Sequence, residues 1–206
     1  MTSYESQISF ALDTICRKLG HIWQRGDWMK LYPEASKEGQ DKYEWYRKSR
    51  YGDSDEKMKM YETLMSAYGT GVGIDFKFHG VVANTLDAHR VVQYFQEEKG
   101  PEIADKLINS LYSQYFENEK HPSSPETLFK ATSDAGIPEA EAKAVIDNEK
   151  EFLRDTNNLI RETKSNGIDA VPNIMFEGKR RDITLEGAKE IEEYEKALHQ
   201  IAKESK

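Results

Sequence analysis

Gly167-Ile168-Asp169-Ala170-Val171-Pro172-Asn173-Ile174-Met175-Phe176-Glu177-Gly178 is the stretch whose reading decides the fold. Pro172 opens a short apolar run, the turn residues Glu177-Gly178-Lys179 follow, and a second short run leads into a helix. Proline has no N–H to give to a ladder, so it is tolerated at the first residue of a strand or on an edge. There it leaves the backbone of Val171 free to bond something other than the sheet. The order read from this stretch is strand, hairpin, amphipathic helix.

Upstream, residues 6–15 alternate apolar and polar, with Ile8, Phe10 and Leu12 on one face, which predicts a strand ending at Cys16. Residues 33–53 are polar and carry breakers, and read as a connection. From Ser54 the pattern is helical for over a hundred residues. Ser54 can cap a helix bearing Met58, Tyr61 and Met65. Asn84, with Asp87 three residues on, can cap a helix containing Leu86, Val91, Val92 and Phe95. Gly100-Pro101 starts a helix with Ile103, Leu107, Leu111 and Tyr115 on one face, since proline suits the first helical position. Ser124-Pro125 and Ile137-Pro138 open two shorter helices, and residues 148–166 make a longer one stopping at Gly167. Thr184 is expected to cap the last helix, which displays Ala188, Ile191, Leu198 and Ile201.

Composition excludes several functions. The 206 residues are 37 % hydrophobic and 32 % charged, as in a globular chain rather than a disordered one. No apolar run approaches the ~20 residues that span a bilayer, and the N-terminus lacks the basic and apolar regions of a signal peptide. A cytoplasmic, membrane-free protein is the expectation. A net charge of −8 argues against nucleic acid, and Lys179-Arg180-Arg181 reads as a solvated turn. Cys16 is the only cysteine, so no internal disulfide and no multi-thiolate metal site can form. The five histidines are scattered, so no metal site is expected.

Three strings carry a family resemblance: the proline-led tail just quoted, Asn84-Thr85-Leu86-Asp87-Ala88-His89-Arg90 opening a helix, and Ile8-Ser9-Phe10-Ala11-Leu12-Asp13-Thr14-Ile15-Cys16 delivering a cysteine to a strand end. Together they resemble the DsbA-like branch of the thioredoxin superfamily. That branch holds FrnE-like oxidoreductases, kappa-class glutathione transferases and 2-hydroxychromene-2-carboxylate isomerases, and the second string looks FrnE-like. The resemblance implies an α/β, thioredoxin-like fold with an inserted all-helical domain. Residues 1–50 and 167–206 would form the discontinuous thioredoxin-like part, and 51–166 the helical insertion. Residues 54–166 are expected to form a helical domain that contributes no strand to the sheet. The Val171–Pro172 bond is expected to be cis and to lie beside the end of the Ile8–Ile15 strand.

In that family the position of Cys16 begins Cys-Pro-x-Cys. Here it reads Cys16-Arg17-Lys18-Leu19, with neither the proline nor the resolving cysteine. A thiol at a helix N-terminus beside Arg17 and Lys18 has a lowered pKa, yet alone it cannot complete a dithiol cycle. Only sixteen residues, 17–32, separate Cys16 from Pro33, and a parallel crossover takes at least about 10–12. A two-turn helix Arg17–Gln24 and a stub strand Trp28–Tyr32 are what fits, a deletion relative to the family of the kind an altered splice or gene model produces. His21, Trp23 and Trp28 lie in the shortened segment, where they patch the core or rebuild a pocket.

By resemblance, Cys16 is the catalytic candidate. Val171 and Pro172 would align substrate backbone, Asn84 and Thr85 would touch a ligand, and His89 and Arg90 would support them. Asp182 and Thr184 match the place where kappa-type relatives hold the γ-glutamyl end of glutathione, the candidate cofactor. The expected function is a thiol-disulfide oxidoreductase reduced to a monothiol. Two alternatives stand beside it: a glutathione-dependent transferase or isomerase, with Cys16 or Thr14 steadying the glutathione thiolate, and a non-catalytic degenerate fold. Partners would be thiol, disulfide or glutathione-linked small molecules, with a homodimer left open.

Overall fold

In the computed structural model, the described residues are 35–168, 173–187 and 189–204. They fall into two compact units, 35–162 and 163–204. The expected N-terminal strand, Cys16, the 17–32 segment, Val171, Pro172 and the geometry of their bond lie outside the described residues.

The first unit opens with a two-residue strand β1 (Gln40–Asp41) paired antiparallel with β2 (Val81–Val82). Val81 and Val82 fall inside the span expected to be helical, in a two-stranded ladder separate from the sheet of the C-terminal hairpin. Gly39, φ +76°, precedes β1 because a Cβ there would run into Val81 and the Val82 carbonyl. Helix α1 (Lys42–Arg50) lies where the sequence read as a mere connection. It lacks an aliphatic stripe; Asp41 caps it, accepting from the Glu44 N–H, and Arg47, Lys48 and Arg50 complement its C-terminal dipole. Its aromatic side chains do the packing: Tyr46 stacks on Tyr61 at 5.9 Å, and Tyr61 meets Phe78 edge-on.

Helix α2 (Asp55–Gly71) starts where expected, with Ser54 Oγ accepting from the Lys57 N–H, and buries Met58, Met65 and Gly69. Helices α3 (Leu86–Lys99) and α4 (Pro101–Tyr112) meet at a single residue, Gly100, whose φ of +87° and ψ of 174° suit only glycine. A π-helical turn, Ser113–Glu117, ends α4. Ser124 caps α5 (Pro125–Asp134) by accepting from the Thr127 N–H, and Pro138 precedes α6 (Glu139–Ile146). Helix α7 (Leu153–Ser165) begins five residues later than expected and stops at Gly167, φ +78°.

One apolar core organises α3 to α6. Ala88, Val91, Val92 and Phe95 of α3 pack with Ala104 and Leu107 of α4, Leu128 and Ala131 of α5, and Ala142, Val145 and Ile146 of α6. The three-to-four-residue spacing of these positions is the helical stripe that the sequence displays.

In the second unit, β3 (Asn173–Phe176) pairs antiparallel with β4 (Ile183–Glu186), Phe176 facing Ile183 and Asn173 facing Glu186. Helix α8 (Ile191–Glu204) covers the hairpin with Tyr194, Ala197 and Leu198 against Phe176, Ile174 and Ile183. Strand, hairpin, helix is the order read from the sequence. Thr184, however, is not a helix cap: it sits inside β4 opposite Met175, and the helix starts at Ile191. Ile183 and Leu185 alternate with Thr184 and Glu186, and this period of two outweighs the capping chemistry of a lone threonine. Among the described residues no helix is long and apolar enough to cross a membrane.

Candidate functional site

The N-terminus of α3 gathers four of the candidate residues. Asn84 precedes the helix and acts as a staple. Its Oδ1 accepts from the Leu86 N–H at 3.0 Å, its Nδ2 donates to the Ala35 carbonyl at 3.1 Å, and its own N–H donates to the Ser36 carbonyl at 2.9 Å. The helix cap position belongs to Thr85, whose side chain makes no cap bond. Asparagine bonding two residues ahead is an Asx turn, which replaces the cap expected of Asn84 itself. The Thr85 carbonyl contacts His89 Nδ1 at 2.7 Å and accepts its backbone N–H at 3.0 Å.

Arg90 is 1 % exposed. Its Nη1 donates to the carbonyls of Val145 (2.7 Å), Asn148 (3.2 Å) and Glu151 (3.1 Å), its Nη2 to Ile146 (3.5 Å), and its Nε faces Asp87 Oδ1 at 3.5 Å. The guanidinium therefore caps the C-terminus of α6, where a cation opposes the negative end of the dipole. It ties α3 to the turn before α7, and its donors serve backbone rather than a ligand.

Beside these residues lies a depression of about 250 Å³ lined by Lys37, Asn84, Asp87, Arg90, His121 and Glu149, among others. Lys37 Nζ reaches Glu149 at 2.9 Å and Asp87 at 3.4 Å. The hydrogen bond to Glu149 and the charge of Asp87 raise the lysine pKa, and Lys37 in turn lowers that of Glu149. His121 Nδ1 accepts from the Ser123 N–H at 3.1 Å, so its proton belongs on Nε2, which donates to the Lys37 carbonyl at 2.8 Å. With both ring nitrogens engaged by backbone, His121 is not placed to serve as base for the Ser123 hydroxyl. Two cations face two carboxylates, an arrangement suited to holding the loops 35–37 and 146–149 in place. Lys37, His121 and Glu149 escaped sequence reading because they meet only through the fold.

A second feature that sequence reading missed is Lys42, a lysine 6 % exposed. Its Nζ donates to the Lys77 carbonyl at 3.1 Å and stands 4.3 Å from the Tyr115 ring centroid and 5.5 Å from that of Phe116. Burial lowers its pKa to about 8, with Glu119 opposing.

Asp182 and Thr184 belong to the second unit. Asp182 Oδ1 accepts from the Gly178 N–H at 3.1 Å, closing the hairpin turn, and Thr184 lies in β4. Neither stands at a helix N-terminus, which removes the local reason for expecting a carboxylate there. Among the described residues no cluster of histidine, cysteine and carboxylate side chains could hold a metal ion.

If Asn84 is a staple, Asn84→Ala should lower stability by about 1–2 kcal/mol, having lost an acceptor for Leu86 and a donor for Ala35. Urea unfolding would show it, together with faster proteolysis near residue 36. Unchanged stability would leave ligand contact as the better account of this residue.

A β-hairpin with a covering helix, preceded by a long helical block, defines a thioredoxin-like protein with a helical insertion. The family described as the DSBA-like thioredoxin domain matches residues 29–199, and the chain belongs to it. It is a member of the DsbA-like thiol oxidoreductase family. A probable DsbA oxidoreductase from Streptomyces coelicolor is similar in structure, with a TM-score of 0.79 and 21 % identity, covering 98 % of this chain and 84 % of its own. A candidate protein disulfide isomerase from Nitrosomonas europaea superposes with a TM-score of 0.70 and 17 % identity, covering 98 % and 93 %. No curated protein matches the sequence.

Proposed function

We propose that this chain is a DsbA-like oxidoreductase working with one thiol. The observation that carries the reading is the pairing of the family match with a single cysteine, Cys16. In the first step the Cys16 thiolate attacks one sulfur of a disulfide, forming a mixed disulfide and releasing the other half as a thiolate, which takes a proton from water. Position 19 is leucine, so no internal thiol resolves the adduct. An external thiol such as glutathione attacks the mixed disulfide, restores the Cys16 thiolate and leaves as the new disulfide. Val171 would align the substrate backbone beside Pro172.

One observation favours a different reading. The family match begins at residue 29, beyond Cys16, as expected of a family member that keeps the fold and binds a peptide or small molecule without redox turnover. Iodoacetamide labelling of Cys16 against pH separates the two. The monothiol reading requires a midpoint well below ~8.5, the ordinary thiol value, and a glutathionyl adduct on treatment with oxidised glutathione that Cys16→Ser abolishes. A midpoint at the ordinary value and no adduct would establish the binding reading. Retention on a glutathione resin by both wild type and Cys16→Ser would point to the transferase or isomerase class instead.

A further inference from the structure

The depression beside α3 has a feature that tying two loops together does not call for. Ser123, 9 % exposed, lines it, and its Oγ is buried without a hydrogen-bond partner. Buried side-chain polar atoms are bonded in the large majority of native sites, so this hydroxyl is set for a group that enters the depression. Its neighbours fix the sign of that group. Ser123 and Lys37 are joined through His121, whose ring accepts from the Ser123 N–H and donates to the Lys37 carbonyl. Ser124 and Pro125, at the N-terminus of α5, border the same space, where the helix dipole favours negative charge. With the Lys37 ammonium also in the lining, hydroxyl, cation and helix end together suit a carboxylate.

Lys37 already meets two carboxylates, and the two are not equivalent. Asp87, with a side chain 21 % exposed, is fixed from two sides, by Lys37 at 3.4 Å and by the buried Arg90 at 3.5 Å. Glu149, 69 % exposed, pairs with Lys37 alone among the described residues, at 2.9 Å. An exposed ion pair of this kind contributes little, so the Glu149 side chain can turn out to water at small cost. The backbone around it stays in place, because Arg90 holds the carbonyls of Asn148 and Glu151. With Glu149 turned away, Lys37 and Arg90 face Asp87 only, and one positive charge is left for an incoming anion to balance. Leu128 and Ile146, both buried, give the depression apolar walls against which a short hydrocarbon tail can lie. We propose that this depression binds a short-chain monocarboxylate, whose head group takes the place on Lys37 that Glu149 now occupies. Glu149 is thus a built-in stand-in for the ligand, and the proposal is independent of the redox reading.

Titration of the full chain with sodium butyrate, sodium acetate and sodium chloride at matched ionic strength, followed by backbone amide NMR, tests it. Butyrate is expected to give saturable shifts at residues 36–38, 121–124 and 146–149, with acetate binding more weakly and chloride not at all. Glu149→Gln should bind butyrate several-fold more tightly, because the stand-in is gone. Lys37→Met and Ser123→Ala should each weaken binding at least several-fold. Lys106→Met, which removes an exposed lysine of α4, should leave it unchanged. Lys37 and Glu149 are exposed, so their variants keep the test decisive if Ser123→Ala misfolds. No saturable shift in either wild type or Glu149→Gln would overturn the proposal, as would an equal response to chloride or acetate. So would binding no tighter in Glu149→Gln than in wild type, or binding that survives Lys37→Met or a folded Ser123→Ala undiminished.

Discussion

Replacing Arg90 by methionine is expected to destabilise the helical unit by about 3–5 kcal/mol, the cost of removing one partner from a buried charged network. The aliphatic stem survives in Arg90→Met, so the loss is polar. The carbonyls of Val145, Asn148 and Glu151 lose donors at 2.7, 3.2 and 3.1 Å. Each buried acceptor left unmade costs about 1–3 kcal/mol, partly offset where the turn before α7 opens to water. For a chain of this size the melting point should fall by on the order of 10 °C. Arg90→Lys should recover only part, because one ammonium can replace Nη1 at its three carbonyls but leaves Ile146 and Asp87 without the donors that Nη2 and Nε supply. Asp87→Asn should cost far less, since Asp87 is partly exposed and meets Arg90 at 3.5 Å. A loss in Arg90→Met no greater than that of Asp87→Asn would show that the cap on α6 is dispensable.

The second large effect concerns pH. Unfolded, Lys42 holds its proton up to its ordinary value of 10.5; folded, burial brings that value to about 8. Between the two values the unfolded chain binds more protons, so stability rises with pH there. Below pH 8 the penalty of a buried cation is present in full, and above 10.5 it is gone. Compared with Lys42→Met, the wild type should gain up to ~1.4 kcal/mol per pH unit across this window, about 3 kcal/mol in all. Tyr51 and Tyr194 titrate in the opposite sense, because burial raises both. They are common to both proteins and cancel in the difference. Chemical unfolding of the pair at pH 7, 8, 9 and 10 gives the slope, and parallel curves would mean that the Lys42 ammonium keeps its hydration.

The two results mark where sequence reading succeeds and where it stops. Ser54, Pro101, Ser124 and Gly167 announced helix ends correctly because capping involves only three or four consecutive residues. The hairpin Asn173–Glu186 was legible for the same reason. Thr184 misled because threonine also favours strands, and the alternation around it carried the stronger signal. Arg90 and Lys42 gave no local sign of burial. The carbonyls that accept from Arg90 lie 55–61 residues away along the chain, and the groups around Lys42 come from residues 77, 115 and 116. Charged residues at helical spacing read as solvated until the fold brings carbonyls and rings around them. Asn84 was rightly tied to the start of α3, though it works one residue earlier than a cap and also holds the segment at Ala35 and Ser36.

The joint at Gly100 bears on how this lineage can change length. With one residue between α3 and α4, an insertion there would turn α4 by about 100° about its axis and carry Ala104 and Leu107 out of the core. A deletion would fuse two helices that Gly100, at φ +87°, now separates. Gains and losses of residues among descendants should therefore collect in 117–124 and 147–152, where the chain already wanders between helices, and spare position 100. A comparison of related genomes would show the joint as a fixed ruler mark between two segments of drifting length.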